Sequence, residues 1–252
     1  MSAATELQAA IENPKRGKTA VMPYLTAGFP RREGFGDLLS QVSEHADAIE
    51  LGVPFSDPMA DGVTIQDASR DALAGGVTLR WIIEMLGETD RKAPVVLMSY
   101  LNPLLAYGLR KLVLDALDVG VHGFIVPDLP YEECEDFRLL CEGEGLALIQ
   151  LVTPLTSVER LRKLQEASSG FVYAVTMTGT TGGDASIGDI GGYLKRVRSA
   201  GKLPVCAGFG IRTAADIAAL EGHAHGAIVG SALIRVLQAG QSGPDFVAGL
   251  VK

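Results

Sequence analysis

The sequence lacks the features by which disulfide-rich, secreted, membrane and metal-binding proteins are usually recognised. It contains three cysteines, Cys134, Cys141 and Cys206, whose spacing matches no metal-binding pattern, so we expect reduced and mostly buried thiols. No apolar run approaches the roughly 20 residues of a membrane-spanning helix. The N-terminal segment mixes charged and small side chains and does not resemble a signal peptide. We therefore expect a cytoplasmic protein that does not bind membranes.

Positive charge is also scarce. The chain has 22 Lys and Arg residues against 30 Asp and Glu residues, a formal net charge of −8, and no basic stripe. This balance argues against nucleic-acid binding, although backbone amides can still hold a small anion locally. No linker, low-complexity segment or block of charge divides the 252 residues. Residues 1–252 are therefore predicted to form a single domain.

Short apolar segments recur along the whole chain. Each is too short for a helix and lacks strict alternation of polar and apolar residues, as is typical of parallel strands buried on both faces. We predict eight strands, at Thr19–Leu25, Ala48–Leu51, Val95–Met98, Gly123–Val126, Ala147–Leu151, Phe171–Val175, Leu203–Ala207 and Ala227–Val229.

Helical patterns lie between these strands. They include Glu33–Glu44, Leu79–Thr89, Leu109–Val119, Glu132–Glu144, Ser157–Ala167, Gly191–Ala200 and Ala214–Leu220. Some stop at a glycine that would suit a left-handed cap, as at Gly120, Gly143 and Gly201. A further helix at Ala4–Glu12 is expected to cover the bottom of the fold. One continuous series of eight alternations favours a closed barrel, so we predict an α/β fold, a single (β/α)₈ TIM barrel with an extra N-terminal helix.

Glycines follow strands 7 and 8, on the barrel face where active sites form. Strand 7 leads into Gly208 and Gly210, and strand 8 into Gly230 and Ser231. Glycine lets the backbone approach an anion, and amides at the start of the next helix point towards it. We interpret these turns as a phosphate site, with Gly182 on the long loop after strand 6 as a third side. The alternative is that the glycines only make tight turns.

Two acidic residues are candidates for proton transfer. Glu50 lies within an apolar strand, where a buried carboxylate must find a partner or have its pKa raised. At the end of a barrel strand, such a carboxyl can donate and accept protons near neutral pH. The alternative is a structural ion pair with Arg or Lys. Asp61 lies in the loop above the same strand, and composition alone hardly distinguishes it from Asp57.

The histidines give no indication of a metal site. His223 and His225 are close in sequence but precede strand 8, at the bottom of the barrel. His45 and His122 have no clustered partners. We predict no metal.

Several runs resemble the α chain of tryptophan synthase. The longest is AIELGVPFSDPMADG, residues 48–62, and others are MPYLTAG at residues 22–28, LMSYLNP at 97–103 and GFIVPDLP at 123–130. GTTG at residues 179–182, GFGI at 208–211 and Gly230-Ser231 continue the match, so it covers nearly the whole chain in order.

The resemblance implies retro-aldol cleavage of indole-3-glycerol phosphate to indole and glyceraldehyde 3-phosphate. It makes Glu50 and Asp61 the catalytic pair, with Glu50 moving protons and Asp61 facing the indole N–H. It makes Tyr173 a third residue, which helps to position the catalytic carboxylate or the glycerol portion. It implies that the substrate-binding residues are Tyr24, Ile65, Met98, Tyr100, Ile125, Thr181, Gly182, Phe209, Gly210, Gly230 and Ser231. Tyr24 stands where some members have phenylalanine, and Met177 where some carry a charged residue.

The resemblance also implies a partner. The α chain acts with a β chain in an α2β2 tetramer and passes indole to it for L-tryptophan synthesis; pyridoxal phosphate is expected only on the β chain, with no cofactor on this one. Three alternatives stay open: a stand-alone lyase that releases free indole, another phosphate-binding barrel such as a sugar-phosphate isomerase or epimerase, and a non-enzymatic scaffold that activates a partner.

Overall fold

The computed structural model describes residues 1–176, 187–208 and 210–250, with the backbone only for residues 187–189. Its strands are β1 (Ala20–Thr26), β2 (Ile49–Gly52), β3 (Val95–Met98), β4 (Val121–Ile125), β5 (Ala147–Val152), β6 (Val172–Val175), β7 (Val205–Gly208) and β8 (Gly226–Val229). Its helices are α1 (Ala3–Glu12), α2 (Phe35–Ser43), α3 (Val63–Ala74), α4 (Leu79–Glu88), α5 (Leu101–Tyr107), α6 (Leu109–Asp118), α7 (Glu135–Gly143), α8 (Val158–Ala167), α9 (Ile187–Ser199), α10 (Ala214–Ala218), α11 (Ser231–Gln238) and α12 (Gly243–Leu250).

The strands close into a parallel barrel. Each pairs with the next in chain order, and β8 pairs with β1. Each strand is almost wholly buried, because the barrel interior covers one face and the helices cover the other. The predicted (β/α)₈ barrel is confirmed, with each predicted strand displaced by at most two residues from the observed one.

The register of the strands decides which side chains meet inside the barrel. Tyr24 on β1 pairs with Glu50 on β2, and Glu50 pairs with Val96 on β3. On the opposite side, Tyr173 on β6 pairs with Cys206 on β7. Because side chains alternate between the two faces of a strand, Glu50 and Gly52 lie on the same, inward face.

Helix α1 closes the bottom of the barrel, as predicted. Its N-cap Ser2 accepts a hydrogen bond from the Thr5 amide, and Leu7 and Ile11 are fully buried. Leu7 packs beside Gly170 and Ala147, at the N-terminal ends of β6 and β5. The two apolar side chains therefore seal the end of the barrel opposite to the strand C-termini.

Two helices begin at a polar cap, and the helix ends predicted at glycines are confirmed only in part. Ser157 caps α8, and Thr213 forms a capping box with Asp216 at the start of α10. Gly120 is left-handed after α6, with φ of +71°. The left-handed caps predicted at Gly143 and Gly201 are wrong: the left-handed glycine after α7 is Gly145, and φ at Gly201 is not positive.

Two histidines make structural contacts at the bottom of the barrel. His225 Nδ1 accepts the Val205 amide at 2.9 Å, and His122 Nδ1 accepts the Val95 amide at 3.3 Å. The first bond joins the residue before β8 to the start of β7, and the second joins β4 to the start of β3. Within the described residues, no three His, Cys, Asp or Glu side chains group closely enough to hold a metal ion.

Candidate active site

Glu50 lies in the barrel interior near the C-terminal end of β2. Its side chain is 1% exposed, and Oε1 has no hydrogen-bond partner among the described residues. No Lys or Arg of the described chain forms an ion pair with it, which disfavours the structural ion pair. Burial raises the pKa of Glu50 to about 8, and the negative charge of Asp61 adds to the shift. Glu50 therefore carries its proton at neutral pH.

Asp61 lies in the loop between β2 and α3 and turns back over the barrel. The residue is 8% exposed, whereas Asp57 in the same loop is exposed and accepts a hydrogen bond from the adjacent Ser56 hydroxyl. Burial raises the pKa of Asp61 to about 6, opposed by a hydrogen bond from Tyr100. At neutral pH, Asp61 is thus mainly ionised beside a protonated Glu50.

Tyr100 holds this loop from the end of β3. Its hydroxyl accepts the Ala60 amide at 2.9 Å and hydrogen-bonds to the Asp61 carboxylate. Its ring packs against Phe55 with the centroids 5.2 Å apart. One buried phenol therefore fixes both the backbone of this loop and the carboxylate of Asp61.

Two tyrosines border the site from opposite sides, each leaning over a glycine of the next strand. A Cβ on Gly52 would lie 2.2 Å from the Tyr24 hydroxyl oxygen, and a Cβ on Gly208 would lie 2.3 Å from that of Tyr173. No side chain but hydrogen fits at either glycine without moving a buried ring. Burial, with the charges of Glu50 and Asp61, raises the pKa of both phenols well above the ordinary value.

Apolar residues complete the interior. Met98 ends β3 and is 8% exposed, Ile125 ends β4 and is fully buried, and Ile65 lies half-buried in the first turn of α3. All three therefore lie at or just beyond the C-terminal ends of β2 to β4, the same end of the barrel as the two carboxyls. They form the apolar side of the site.

The glycines predicted to bind phosphate follow β7 and β8, which are paired neighbours. Gly210 is left-handed, with φ of +85°, and Gly230 precedes Ser231, the first residue of α11. The first amides of a helix have no acceptor within it, so those of α11 are free to bind an anion. Thr181, Gly182 and Phe209, with Met177, lie outside the described residues.

The sequence of a known family matches almost all of this chain. The family profile of the tryptophan synthase alpha chain covers residues 11–248. A tryptophan synthase alpha chain of Desulfovibrio desulfuricans is 45% identical over 238 residues, which span 92% of this chain and 93% of that one. The chain belongs to the tryptophan synthase alpha chain family.

Solved structures of tryptophan synthase have the same fold. The alpha subunit from Legionella pneumophila superposes with a TM-score of 0.87 at 32% identity, covering 99% of this chain and 97% of that one. A structure concerning mutual activation in the tryptophan synthase α2β2 complex of Pyrococcus furiosus superposes with a TM-score of 0.85 at 35% identity, covering 93% of this chain and 98% of that one. The resemblance stated from the sequence is thus confirmed at the level of family and fold.

The structure of this alpha-chain family member adds residues that sequence reasoning did not single out. Gly52 makes room for the Tyr24 ring, and Arg235 on α11 lies beside Ser231. The signal for Arg235 was present in the sequence, since residues four apart in a helix share a face. No helix in the described part of the chain is long and apolar enough to cross a bilayer.

Proposed function

We propose that this chain is the lyase subunit of a tryptophan synthase and cleaves indole-3-glycerol phosphate into indole and glyceraldehyde 3-phosphate at the Glu50–Asp61 site. One observation carries the proposal: two carboxyls, both buried at the C-terminal end of the barrel, have pKa values of about 8 and about 6. When one carboxyl has a pKa above neutral pH and its neighbour a pKa below it, the first can act as a proton donor while the second stays ionised.

Glu50 performs both proton transfers of the cleavage. In its protonated form it donates a proton to C3 of the indole ring, which gives the indolenine tautomer. The carboxylate left behind then takes the proton of the glycerol hydroxyl next to the breaking bond. The C3–C3′ bond breaks, its electron pair returns to the ring, and indole and the aldehyde are released with Glu50 protonated again.

Asp61 stabilises the intermediate charge. Protonation at C3 leaves positive charge on the ring nitrogen, and an ionised carboxylate facing the N–H stabilises it where water is excluded. Tyr100 keeps this carboxylate in place through its bond to the loop. Tyr173, buried near Glu50, helps to orient that carboxyl or the glycerol hydroxyls.

The rest of the substrate lies between the apolar residues and the glycine turns. The indole ring packs among Tyr24, Ile65, Met98, Ile125 and Phe209. The phosphate binds to Gly182, Gly210, Gly230 and the Ser231 hydroxyl. Thr181 belongs to a lid that closes over Asp61.

The partner is a tryptophan synthase β chain, which carries pyridoxal phosphate and receives the indole, in an α2β2 tetramer. Large apolar side chains are exposed in and after the loops at the strand C-termini: Met59 is 72% exposed, Leu105 53% and Leu155 85%. Such exposed apolar side chains favour a protein partner on the face through which indole would leave.

Indole production from indole-3-glycerol phosphate tests the proposal, measured with and without purified β chain. Glu50→Gln is expected to lower kcat about 10³-fold, because the variant cannot exchange a proton, and Asp61→Asn about 10²-fold. Glu166→Gln, an exposed change on α8, is the control and should match the parent chain. Full activity of Glu50→Gln would overturn the assignment. Brisk turnover that the β chain does not alter would favour the stand-alone lyase.

A further inference from the structure

Arg235 lies one helical turn beyond the start of α11. Its Nη2 is 3.5 Å from the Ser231 hydroxyl, and its Nη1 is 3.5 Å from the Thr64 hydroxyl of α3. Side chains of a helix lean towards its N-terminus, which explains how an arginine at position 235 reaches the turn at Gly230 and Ser231. The guanidinium therefore lies beside the end of α11 whose amides are free.

No carboxylate of the described residues neutralises the charge of this guanidinium. Both of its partners are neutral hydroxyls, and no carboxylate within the described ranges forms an ion pair with it. Arg235 is exposed, so its guanidinium is accessible to an anion from solvent. A guanidinium presents paired N–H donors that match the oxygens of a phosphate group.

We infer that Arg235 binds the phosphate group of the substrate directly, adding a cationic side chain to Gly210, Gly230 and Ser231. This inference rests on the proposed function. Its Nη2 lies 3.5 Å from the Ser231 hydroxyl, so an anion bound at that hydroxyl is within reach of the guanidinium. Thr64 on α3 orients it by accepting from Nη1, so Thr64 is a positioning residue for Arg235.

Arg235→Gln removes the charge and keeps a polar side chain of similar reach, and Arg162→Gln makes the same change at an exposed position of α8. Three quantities are measured for each: kinetics with indole-3-glycerol phosphate, kinetics with indole-3-glycerol that lacks the phosphate, and equilibrium binding of glycerol 3-phosphate. A charge-assisted hydrogen bond to phosphate predicts about a tenfold rise in KM and in the Kd of glycerol 3-phosphate, with kcat changed less than about twofold. Thr64→Val should give a smaller rise in the same direction.

The substrate without phosphate separates ligand binding from a structural role. If Arg235 contacts the phosphate, its replacement leaves kcat/KM for indole-3-glycerol unchanged. Equal losses with both substrates, or an unchanged Kd for glycerol 3-phosphate, would overturn the inference. If the parent chain cleaves neither substrate but Arg235→Gln still weakens glycerol 3-phosphate binding, the proposed function fails and the phosphate contact stands.

Discussion

At the scale of single residues, the chemistry depends on Glu50 being buried without a cation beside it. Its apolar strand indicated from the sequence that it must find a partner or change its pKa, and the structure selects the second outcome. Composition and spacing left Asp61 and Asp57 hardly distinguishable, because both lie in one loop, and the family resemblance favoured Asp61. The fold gives the physical difference: Asp61 is buried and held by Tyr100, whereas Asp57 is exposed to solvent.

The raised pKa of Glu50 makes the stability of the chain depend on pH. The folded chain holds this proton up to about pH 8, whereas the unfolded chain releases it near 4.5. Its stabilising effect is therefore complete below pH 4.5 and is lost as the pH rises towards 8, by up to about 1.4 kcal/mol per pH unit. Glutamine cannot ionise, so Glu50→Gln should gain stability relative to the parent chain as the pH rises.

Urea unfolding between pH 5 and pH 8 measures this difference, with Glu166→Gln as the control that should follow the parent chain throughout. A difference between Glu50→Gln and the parent chain that stays constant over this range would mean that Glu50 is ionised in the folded chain.

The two pKa values also predict the pH profile of the cleavage. Activity needs Asp61 ionised and Glu50 protonated, so kcat/KM should rise through about pH 6 and fall through about pH 8. Because Glu50 and Asp61 interact, the two pKa values read from the profile describe the pair and not one residue each.

The coupling itself can be tested with Asp61→Asn. This variant removes the charge that raises the pKa of Glu50, so the alkaline limb of its residual activity should move to lower pH. An alkaline limb that does not move would show that the two carboxyls are not coupled.

At the scale of elements, the strands could be predicted better than the helices. Buried parallel strands are marked by apolar runs, which the sequence displays directly. Helix α3 was not recognised because its N-cap is Gly62, with no capping side chain, and because it buries only small residues, such as Ala68 and Ala72. The pairing of a tyrosine with a glycine on the next strand could not be predicted, since it depends on the register between strands.

That pairing predicts the effect of adding one methyl group. Gly52→Ala would place a carbon within 2.2–2.7 Å of three Tyr24 ring and hydroxyl atoms, so we expect a loss of about 1–3 kcal/mol in the free energy of unfolding, with lower activity. Combining it with Tyr24→Leu should destabilise the chain by less than the sum of the two single effects, because the shorter side chain leaves room for the new carbon.

Gly143→Ala on α7 is the control. No atom lies within 4 Å of its new carbon, so it should be neutral or slightly stabilising. Urea unfolding of the parent chain, both single variants, the double variant and Gly143→Ala measures these effects, and strict additivity of the two single effects would exclude the contact.

At the scale of the whole molecule, the two ends of the barrel differ in chemistry. Helix α1 seals the bottom with Leu7 and Ile11, and His225 and His122 accept hydrogen bonds from backbone amides there. The opposite end carries the carboxyls, the glycine turns and the exposed side chains of Met59 and Leu155. That residues 1–252 form one domain stays a prediction, as does the tetramer.

The exposed apolar side chains at the strand C-termini predict which face of the barrel the β chain contacts. Leu155, 85% exposed, makes little contact within its own chain, so Leu155→Glu should leave the free energy of unfolding unchanged. It should weaken association with the β chain by about tenfold or more, because a charge would be buried in an apolar interface. Leu139→Glu on α7, where leucine is 52% exposed, is the matched control on the outer surface and should bind normally. Sedimentation of each variant with increasing β chain gives the affinities. If Leu155→Glu binds as tightly as Leu139→Glu, the partner uses another face, and indole would then have to leave the barrel through solvent.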